Sequence, residues 1–290
     1  MHKAGFVNII GNPNVGKSTL MNALVGENLS ITTFKAQTTR HRIMGIANGE
    51  DFQIVYSDTP GIVNPHYKLH EQMMSFVSSA LKDADIFLLV TEVGETLKNE
   101  KTLQYIINSK TPVILIINKI DLSSQEVIAQ KISYWQEIIP RAVVIPCSAT
   151  EKFNLDKIFD SIIKLLPENP PYFPKDELSD KSMRFFASEI IREKILLYYN
   201  KEIPYSCEVV IDEYKEKDNV DYISAIIYVE RDSQKGILLG HQGSMIKKLG
   251  TEARKDIENF IGKKSYLKLF VKVKENWRNN LNDLKRFGYE

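Results

Sequence analysis

The stretch GNPNVGKST at 11–19 constrains the fold more than any other part of the chain. It fits G-x-x-x-x-G-K-[ST], a loop that must turn tightly at Gly11 and Gly16 and deliver its backbone straight into a helix at Lys17. The apolar run GFVNII at 5–10 leads into it, and a helix is expected over about 17–26, so strand, loop and helix follow in the order the pattern requires. A strand that feeds a helix in this way belongs to a largely parallel α/β sheet. Further short apolar runs, DFQIVYSD (51–58), DIFLLV (85–90), PVILIIN (112–118) and AVVIPCS (142–148), recur at intervals long enough for crossover helices. Those helices are expected at 69–82, 96–109, 125–138 and 154–165, the last with Asn154 as its N-cap. RIMGIA (42–47) and DFQIVY (51–56) flank Asn48-Gly49-Glu50 and read as an antiparallel hairpin, which makes the sheet a mixed one of six strands.

At 290 residues, 43% hydrophobic and 26% charged, the chain suffices for two ordinary soluble domains, and no apolar run approaches the roughly 20 residues of a membrane span. Residues 167–181, PENPPYFPKDELSDK, carry four prolines and a charged remainder that suit neither helix nor strand. The expected organisation is a first domain over 1–168, a surface linker over 169–182 and a second domain over 183–290. MHKAGFVNII enters the first strand without the apolar core of a signal peptide, so the cytoplasm is the expected compartment. Cys147 and Cys207 stand far apart, outside any C-x-x-C or His-rich setting, and read as small buried apolar side chains.

The chemistry lies in the turns at the strand ends. In the first loop, Gly11, Asn12, Pro13, Asn14, Val15, Gly16, Lys17, Ser18 and Thr19 can surround a chain of phosphates with backbone N–H groups at a helix N-terminus, Lys17 reaching the β and γ oxygens and Ser18 holding Mg²⁺. NKID at 118–121 selects the base: the two carboxylate oxygens of Asp121 can accept from the ring N1–H and the 2-amino group of guanine, a donor pair adenine lacks. Asn118 would touch the base edge and hold neighbouring loops, Lys119 would lay its aliphatic stem on the ring, and Ser148 and Ala149 would complete the pocket. DTPG supplies Asp58, placed to reach Mg²⁺ through water, then Thr59, Pro60 and Gly61, whose N–H can sense the γ-phosphate. The polar segment Lys35 to Arg40 has no apolar stripe and reads as a mobile switch, with Thr39 as a second hydroxyl on Mg²⁺ and Thr38 competing for that role. The cofactors expected are GTP and GDP with Mg²⁺, and the groups expected to act in hydrolysis are Lys17, Thr39 and Gly61.

The second half is organised as α-β-β-α-α-β plus a tail: a helix at 183–198, strands at 207–214 and 222–230, a short helix and turn at 235–243, a long helix at 244–261, a strand at 265–273 and a last helix from about 275. Charge differs between the parts, 18 basic against 20 acidic residues over 1–182 and 20 against 17 over 183–290, and within the second the stretch 234–278 carries 11 Lys and Arg against four acids, an excess that favours a phosphate-backbone partner. Gly240-His241-Gln242-Gly243 is a G-x-x-G between two helices, the arrangement that brings backbone close to about four nucleotides of single-stranded RNA. His241 and Gln242 supply little charge near neutral pH, so Lys247, Lys248 and Arg254 are expected to compensate. Trp277 reads as a packing residue.

GNPNVGKST, QTTR (37–40), DTPG, NKID and the second domain together resemble the Era family of bacterial GTPases, within the larger TRAFAC group, over nearly the entire chain. The resemblance implies a Ras-like P-loop GTPase domain followed by a smaller α+β type II K homology (KH) domain. It also implies a role in small ribosomal subunit (30S) assembly through the 3′ end of 16S rRNA, with the nucleotide state switching RNA and ribosome engagement. A monomer with peripheral association at the inner face of the cytoplasmic membrane is implied as well. Two other readings remain: a second domain devoted to protein interaction, and a tRNA-modifying GTPase, against which the chain offers no further cysteine or cofactor fingerprint. Ile62 follows Gly61 where Ras-type enzymes put a water-orienting glutamine, so intrinsic hydrolysis is expected to be slow. Asn14 sits where potassium-assisted relatives carry an asparagine ligand, which makes K⁺ a further expected cofactor.

Asp121→Asn exchanges one acceptor for a donor and is expected to shift base preference from guanine toward xanthine nucleotides. Calorimetric titration with both nucleotides checks this, and unchanged guanine selectivity would refute the role given to that carboxylate.

Overall fold

A computed structural model describes residues 1–97 and 99–289, and contacts divide it into two compact units. The first comprises Met1–Pro65 and Met73–Asp180, and the second comprises Lys181–Glu290 together with His66–Gln72.

The first unit contains β1 (Lys3–Gly11), α1 (Lys17–Val25), β2 (Ile43–Asn48), β3 (Phe52–Asp58), β4 (Ile86–Glu92), α3 (Glu100–Asn108), β5 (Val113–Asn118), α4 (Gln125–Ile138), β6 (Val143–Pro146), α5 (Leu155–Leu165) and most of α2 (Lys68–Lys82). The sheet runs in the order β2-β3-β1-β4-β5-β6, with β2 antiparallel to β3 and every other neighbour parallel. β5 is buried along its whole length and β4 along nearly all of it, because helices cover both faces of the sheet and leave no wet side on which polar residues would alternate. Val77 and Ala80 of α2, Ile106 of α3 and Trp135 of α4 pack with Phe87, Leu89, Leu115 and Ile117 on one face. α1 and α5 lie against the other. The carboxyl ends of β1, β3 and β5 therefore open into adjacent loops on one rim of the sheet, where α/β folds bind ligands.

Two details depart from expectation. The helix expected over 96–109 begins at Glu100, capped by Asn99, whose side chain accepts from Thr102 N–H at 2.9 Å; position 98 lies outside the described residues. Asn154 occupies the N-cap position of α5 but caps nothing, because a left-handed backbone at φ 61° turns its amide to the Pro146 carbonyl at 2.8 Å.

The proline-rich stretch after α5 is fixed along the sheet's edge. Gln53 of β3 binds it from both ends of its amide: Oε1 accepts from Tyr172 N–H (2.7 Å) and Phe173 N–H (3.0 Å), while Nε2 donates to Phe173 O (2.8 Å). Further on, Ile46 N–H donates to Leu178 O at 2.9 Å and Ser179 Oγ to Met44 O at 2.5 Å.

The second unit contains α6 (Met183–Tyr198), a short α7 (Ile203–Ser206) not anticipated from the sequence, β7 (Glu208–Lys215), β8 (Val220–Val229), α8 (Asp232–Leu239), α9 (Ser244–Ile261), β9 (Lys264–Val273) and α10 (Leu281–Arg286). Its sheet is β7-β8-β9, antiparallel then parallel. Ile191 and Ile195 of α6, Leu238 of α8 and Leu249, Ala253 and Ile257 of α9 close over Ile223, Ala225 and Ile227 of β8. The helix expected from 275 is instead a single 3₁₀ turn at Trp277–Asn279 followed by α10. Trp277 is fully buried and donates its indole N–H to Ser206 O at 3.0 Å, which accounts for the break: the ring is an anchor for the tail.

Gln53→Ala would leave two backbone donors and one acceptor of the 172–173 stretch without partners, costing about 1–3 kcal/mol. Urea unfolding is expected to show that loss, with faster hydrogen exchange at Tyr172 and Phe173. A variant as stable as the parent would show that the amide does not hold the strap.

Candidate active site and nucleic-acid groove

The first loop owes its shape to close approaches. A Cβ on Gly11 would lie 2.2 Å from Val90 O, and one on Gly16, where φ is 91°, would lie 2.3 Å from Asn118 Nδ2. α1 then starts at Lys17, so its first N–H groups face the loop. Lys17 is buried and donates from Nζ to Asn12 O at 2.8 Å and Gly11 O at 3.2 Å. Burial pulls its ammonium down to about 8, against the opposing pull of the Asp58 carboxylate.

The three side chains expected at a metal converge. Ser18 Oγ lies 2.6 Å from Asp58 Oδ2 and 2.8 Å from Thr39 Oγ1, and Thr39 Oγ1 lies 3.3 Å from the same carboxylate oxygen. Burial pushes the Asp58 carboxyl above its ordinary range, while Lys17 and the Ser18, Ser30 and Thr39 hydroxyls draw it down. Its other oxygen, Oδ1, is buried with no hydrogen-bond partner. Two hydroxyls and a carboxylate with an unsatisfied oxygen are hard oxygen donors, the type that fits Mg²⁺. Of the two competing threonines, Thr38 also lines the cleft, but its hydroxyl is engaged within the switch: it donates to Lys35 O at 2.6 Å and lies 2.7 Å from Thr33 Oγ1.

After β3, Thr59 donates its hydroxyl to Ile9 O at 2.7 Å, and Gly61 lies so close to the first loop that a Cβ would fall 2.6 Å from Pro13 Cα. Ile62 is turned into the core among Ile10 and Leu97, with its N–H directed to Gly11 O at 3.3 Å. No side chain at this position reaches toward the loop to orient a water.

At the base end, Asn118 is 2% exposed and binds two segments: Nδ2 donates to Val15 O at 2.9 Å, and Oδ1 accepts from Ala149 N–H at 3.0 Å and from Cys147 Sγ at 3.5 Å. Burial pushes the Cys147 thiol to about 12, so it is inert, as its setting suggested. Lys119 adopts φ 61° and pairs with Glu92 at 2.5 Å, and Asp121 is exposed on a single 3₁₀ turn at Ile120–Leu122.

These parts enclose a cleft of about 670 Å³. Pro13, Asn14, Gly16, Lys17, Ser18, Thr19, Thr39, Gly61, Asn118, Lys119 and Asp121 line it. Gly11, Asn12, Val15, Asp58, Thr59, Pro60, Ser148 and Ala149 were expected at the site but do not line the cleft; Asn12, for instance, is buried and donates its amide to Thr96 O at 2.8 Å. The stretch Ile31 to Phe34 and Gln37 and Thr38 of the switch also line the cleft, as do Thr150 and Leu122, which were not anticipated. Thr150 could have been found from its place directly after Ser148-Ala149, whereas Phe34, fully exposed, carries no sequence signal for a cleft.

In the second unit, the G-x-x-G bends between α8 and α9 with φ 69° at Gly240, 50° at Gln242 and 77° at Gly243. A Cβ on Gly240 would strike Met245 at 2.6 Å, while Gly243 has room and is required for its dihedral alone. Beside it a groove of about 330 Å³ runs between α9 and β9, lined by Ile246, Lys247, Gly250, Arg254, Leu267 and Lys268. Lys248 does not line it, since its Nζ lies 4.8 Å from the Tyr198 ring centre. His241 and Gln242 are exposed on the bend itself.

Fold and site together define a P-loop GTPase domain followed by a KH domain. The family model described as "50S ribosome-binding GTPase" matches residues 6–119, and that of the KH domain matches residues 202–278. GTPase Era of Staphylococcus haemolyticus is 44% identical over 291 aligned residues, 99% of this chain and 97% of that protein. Among solved structures, Era in complex with MgGDPNP and nucleotides 1506–1542 of 16S ribosomal RNA is similar with a TM-score of 0.95 and 37% identity, covering 100% of this chain and 99% of that one. A variant Era from Aquifex aeolicus bound to GDP and AlF4⁻ matches with a TM-score of 0.95 and 37% identity over 99% of each chain. The chain belongs to the Era family of GTPases.

Lys17 bears its proton below about pH 8 and loses it above. Nucleotide phosphates stabilise the ammonium, so affinity for GDP is expected to hold from pH 6.5 to 7.5 and then to fall by up to about tenfold per pH unit toward pH 9. Calorimetric titrations across that range, in buffers of different ionisation heat, check both the fall and the accompanying proton uptake; a flat profile would contradict the assignment.

Proposed function

We propose that this protein binds GTP with Mg²⁺, hydrolyses it slowly by itself, and uses the nucleotide state to switch engagement of its KH domain with the 3′ end of 16S rRNA during assembly of the small ribosomal subunit. The reading rests on one observation above all: Ser18 from the first loop, Thr39 from the switch and Asp58 from β3 meet within hydrogen-bonding distance at one end of a cleft whose other end carries Asp121. Ser18, Thr39 and Asp58 would hold Mg²⁺, which when bound neutralises phosphate charge. Lys17, freed from its loop carbonyls, would hold the β and γ oxygens, and the Gly61 backbone would report the γ-phosphate. Thr39 makes the arrangement a switch, because a ligand that draws on this hydroxyl also draws in the polar segment that carries it.

With Ile62 in the core, hydrolysis must draw on backbone groups, on Lys17 and on an added cation. We assign that cation to K⁺ near Asn14, whose carboxamide lines the cleft and at present donates to Phe34 O at 3.2 Å. The KH groove, with Lys247, Arg254 and Lys268 along it, suits a phosphate backbone. Among the described residues no helix is long and apolar enough to cross a membrane. We place the protein in the cytoplasm as a monomer, with peripheral attachment to the inner membrane face.

Two measurements test this. GTP turnover at fixed ionic strength is expected to fall on the order of tenfold or more when Na⁺ replaces K⁺, and equal rates would remove the potassium assignment. Filter binding of the full chain to an RNA spanning the 16S 3′ end is expected to weaken steeply with salt and to differ between GTP-analogue and GDP states. RNA binding with no salt slope would instead make the second domain a protein-interaction module.

A further inference from the structure

The helices of the second unit pack on one face of β7-β8-β9; the other face carries rings. Parallel register sets Tyr222 beside Tyr266, Ser224 beside Lys268, Ile226 beside Phe270 and Tyr228 beside Lys272, all on that outward side. At one end the C-terminal tail covers it: Phe287 packs on Tyr228 at 5.3 Å between ring centres, and the Tyr289 hydroxyl donates to the Glu208 carboxylate at 2.9 Å. The other end is bare, with Tyr222 42%, Tyr266 56% and Phe270 40% exposed. The Tyr222 and Tyr266 rings are 5.8 Å apart and inclined at 44°. Lys217 Nζ lies 4.7 Å from the centre of Tyr222, and Lys268 Nζ lies 4.8 Å from that of Phe270.

We propose that this bare end is a stacking platform for single-stranded RNA that continues out of the KH groove across β9. The inference rests on the RNA reading of that groove and goes beyond it, because a G-x-x-G clamp engages only about four nucleotides. β9 is the outer strand of the sheet, and Lys268 belongs to both surfaces, lining the groove and standing on the platform. A strand leaving the groove over this lysine meets Tyr266 and then Tyr222. Cross-strand aromatic pairing alone would stabilise the sheet, but it does not call for one ammonium over Tyr222 and another over Phe270. Exposed rings interleaved with ammonium groups are what unstacked bases and their phosphates require. Within the three strands the exposed carboxylates, Asp212 and Glu213, both lie on β7, farthest from the groove, and Glu213 pairs with Lys215 at 2.5 Å; the exposed Glu216 and Asp218 flank Lys217 in the β7–β8 turn, so the basic approach to the rings is from β9.

The test measures anisotropy of the full chain with fluorescein-labelled, random-sequence oligoribonucleotide pools of 5 and 14 nucleotides. Tyr222→Ala with Tyr266→Ala is expected to weaken the longer pool by at least about tenfold and the shorter by less than twofold. Tyr222→Phe with Tyr266→Phe keeps both π-faces and is expected to restore binding, which a disrupted fold would not allow. Lys247→Glu in the groove should weaken both pools. If it does so while the double alanine variant binds the longer pool normally, the platform is overturned and the groove reading stands; if the parent binds neither pool, both fall. Self-association in sedimentation that the alanine pair abolishes, with RNA binding untouched, would give the face to a second copy of the chain and likewise overturn the proposal.

Discussion

One carboxamide sets the geometry on which the first domain depends. Asn118 leaves the end of β5 and spans to the Val15 carbonyl of the first loop with its amino group, while its oxygen holds the Ala149 backbone. Gly16 has no side chain because that amino group occupies the space a Cβ would need. The loop for phosphates and the turn for a base are thus tied at a separation fixed by strands of one sheet, β1 and β5, with β4 between them. A ligand must match that span as well as each end, and this is why two common short sequences, weak separately, become specific together.

Charge buried at the phosphate end works in the same direction. Lys17 and Asp58 are each shifted toward their neutral forms by burial, and each is partly held in its charged form by the other. Lys17 meanwhile spends its protons on carbonyls of its own loop, and Asp58 keeps one oxygen without a partner. Both groups are incompletely satisfied by the protein, a state that an anion with a divalent cation relieves at once. Thr39 hydrogen-bonds to Ser18 and to Asp58, so the segment that carries it is tied to that local deficit.

What could be read from the sequence was whatever is local and periodic. The five parallel strands announced themselves as short apolar runs, the phosphate and base motifs by residue spacing, and the bend at Gly240–Gly243 by two glycines whose φ values other residues avoid. What could not be read depends on partners distant in the chain. Asn154 has the right type for a cap, yet its amide prefers Pro146 O. Gln53 looks like an ordinary polar strand position and is the anchor of a segment about 120 residues later. Ile31 to Phe34 enter the cleft because the switch backbone folds over it, with no residue type that signals this. Lys248, grouped with Lys247 by adjacency, is a helical step away and meets Tyr198 instead of the groove.

The strap along β2 has a consequence for how the chain tolerates change. β2 ends the larger sheet, and an outermost strand with unpaired amides invites another chain to add itself. Here Leu178 O accepts from Ile46 N–H, and Asp180 Oδ1 accepts from Met44 N–H at 3.0 Å, so the tether between domains also serves as the guard of that rim. Its length is therefore not free to drift as a simple spacer's would be: extra residues near Leu178 would slide the guard out of step with Met44 and Ile46 and uncover an adhesive border.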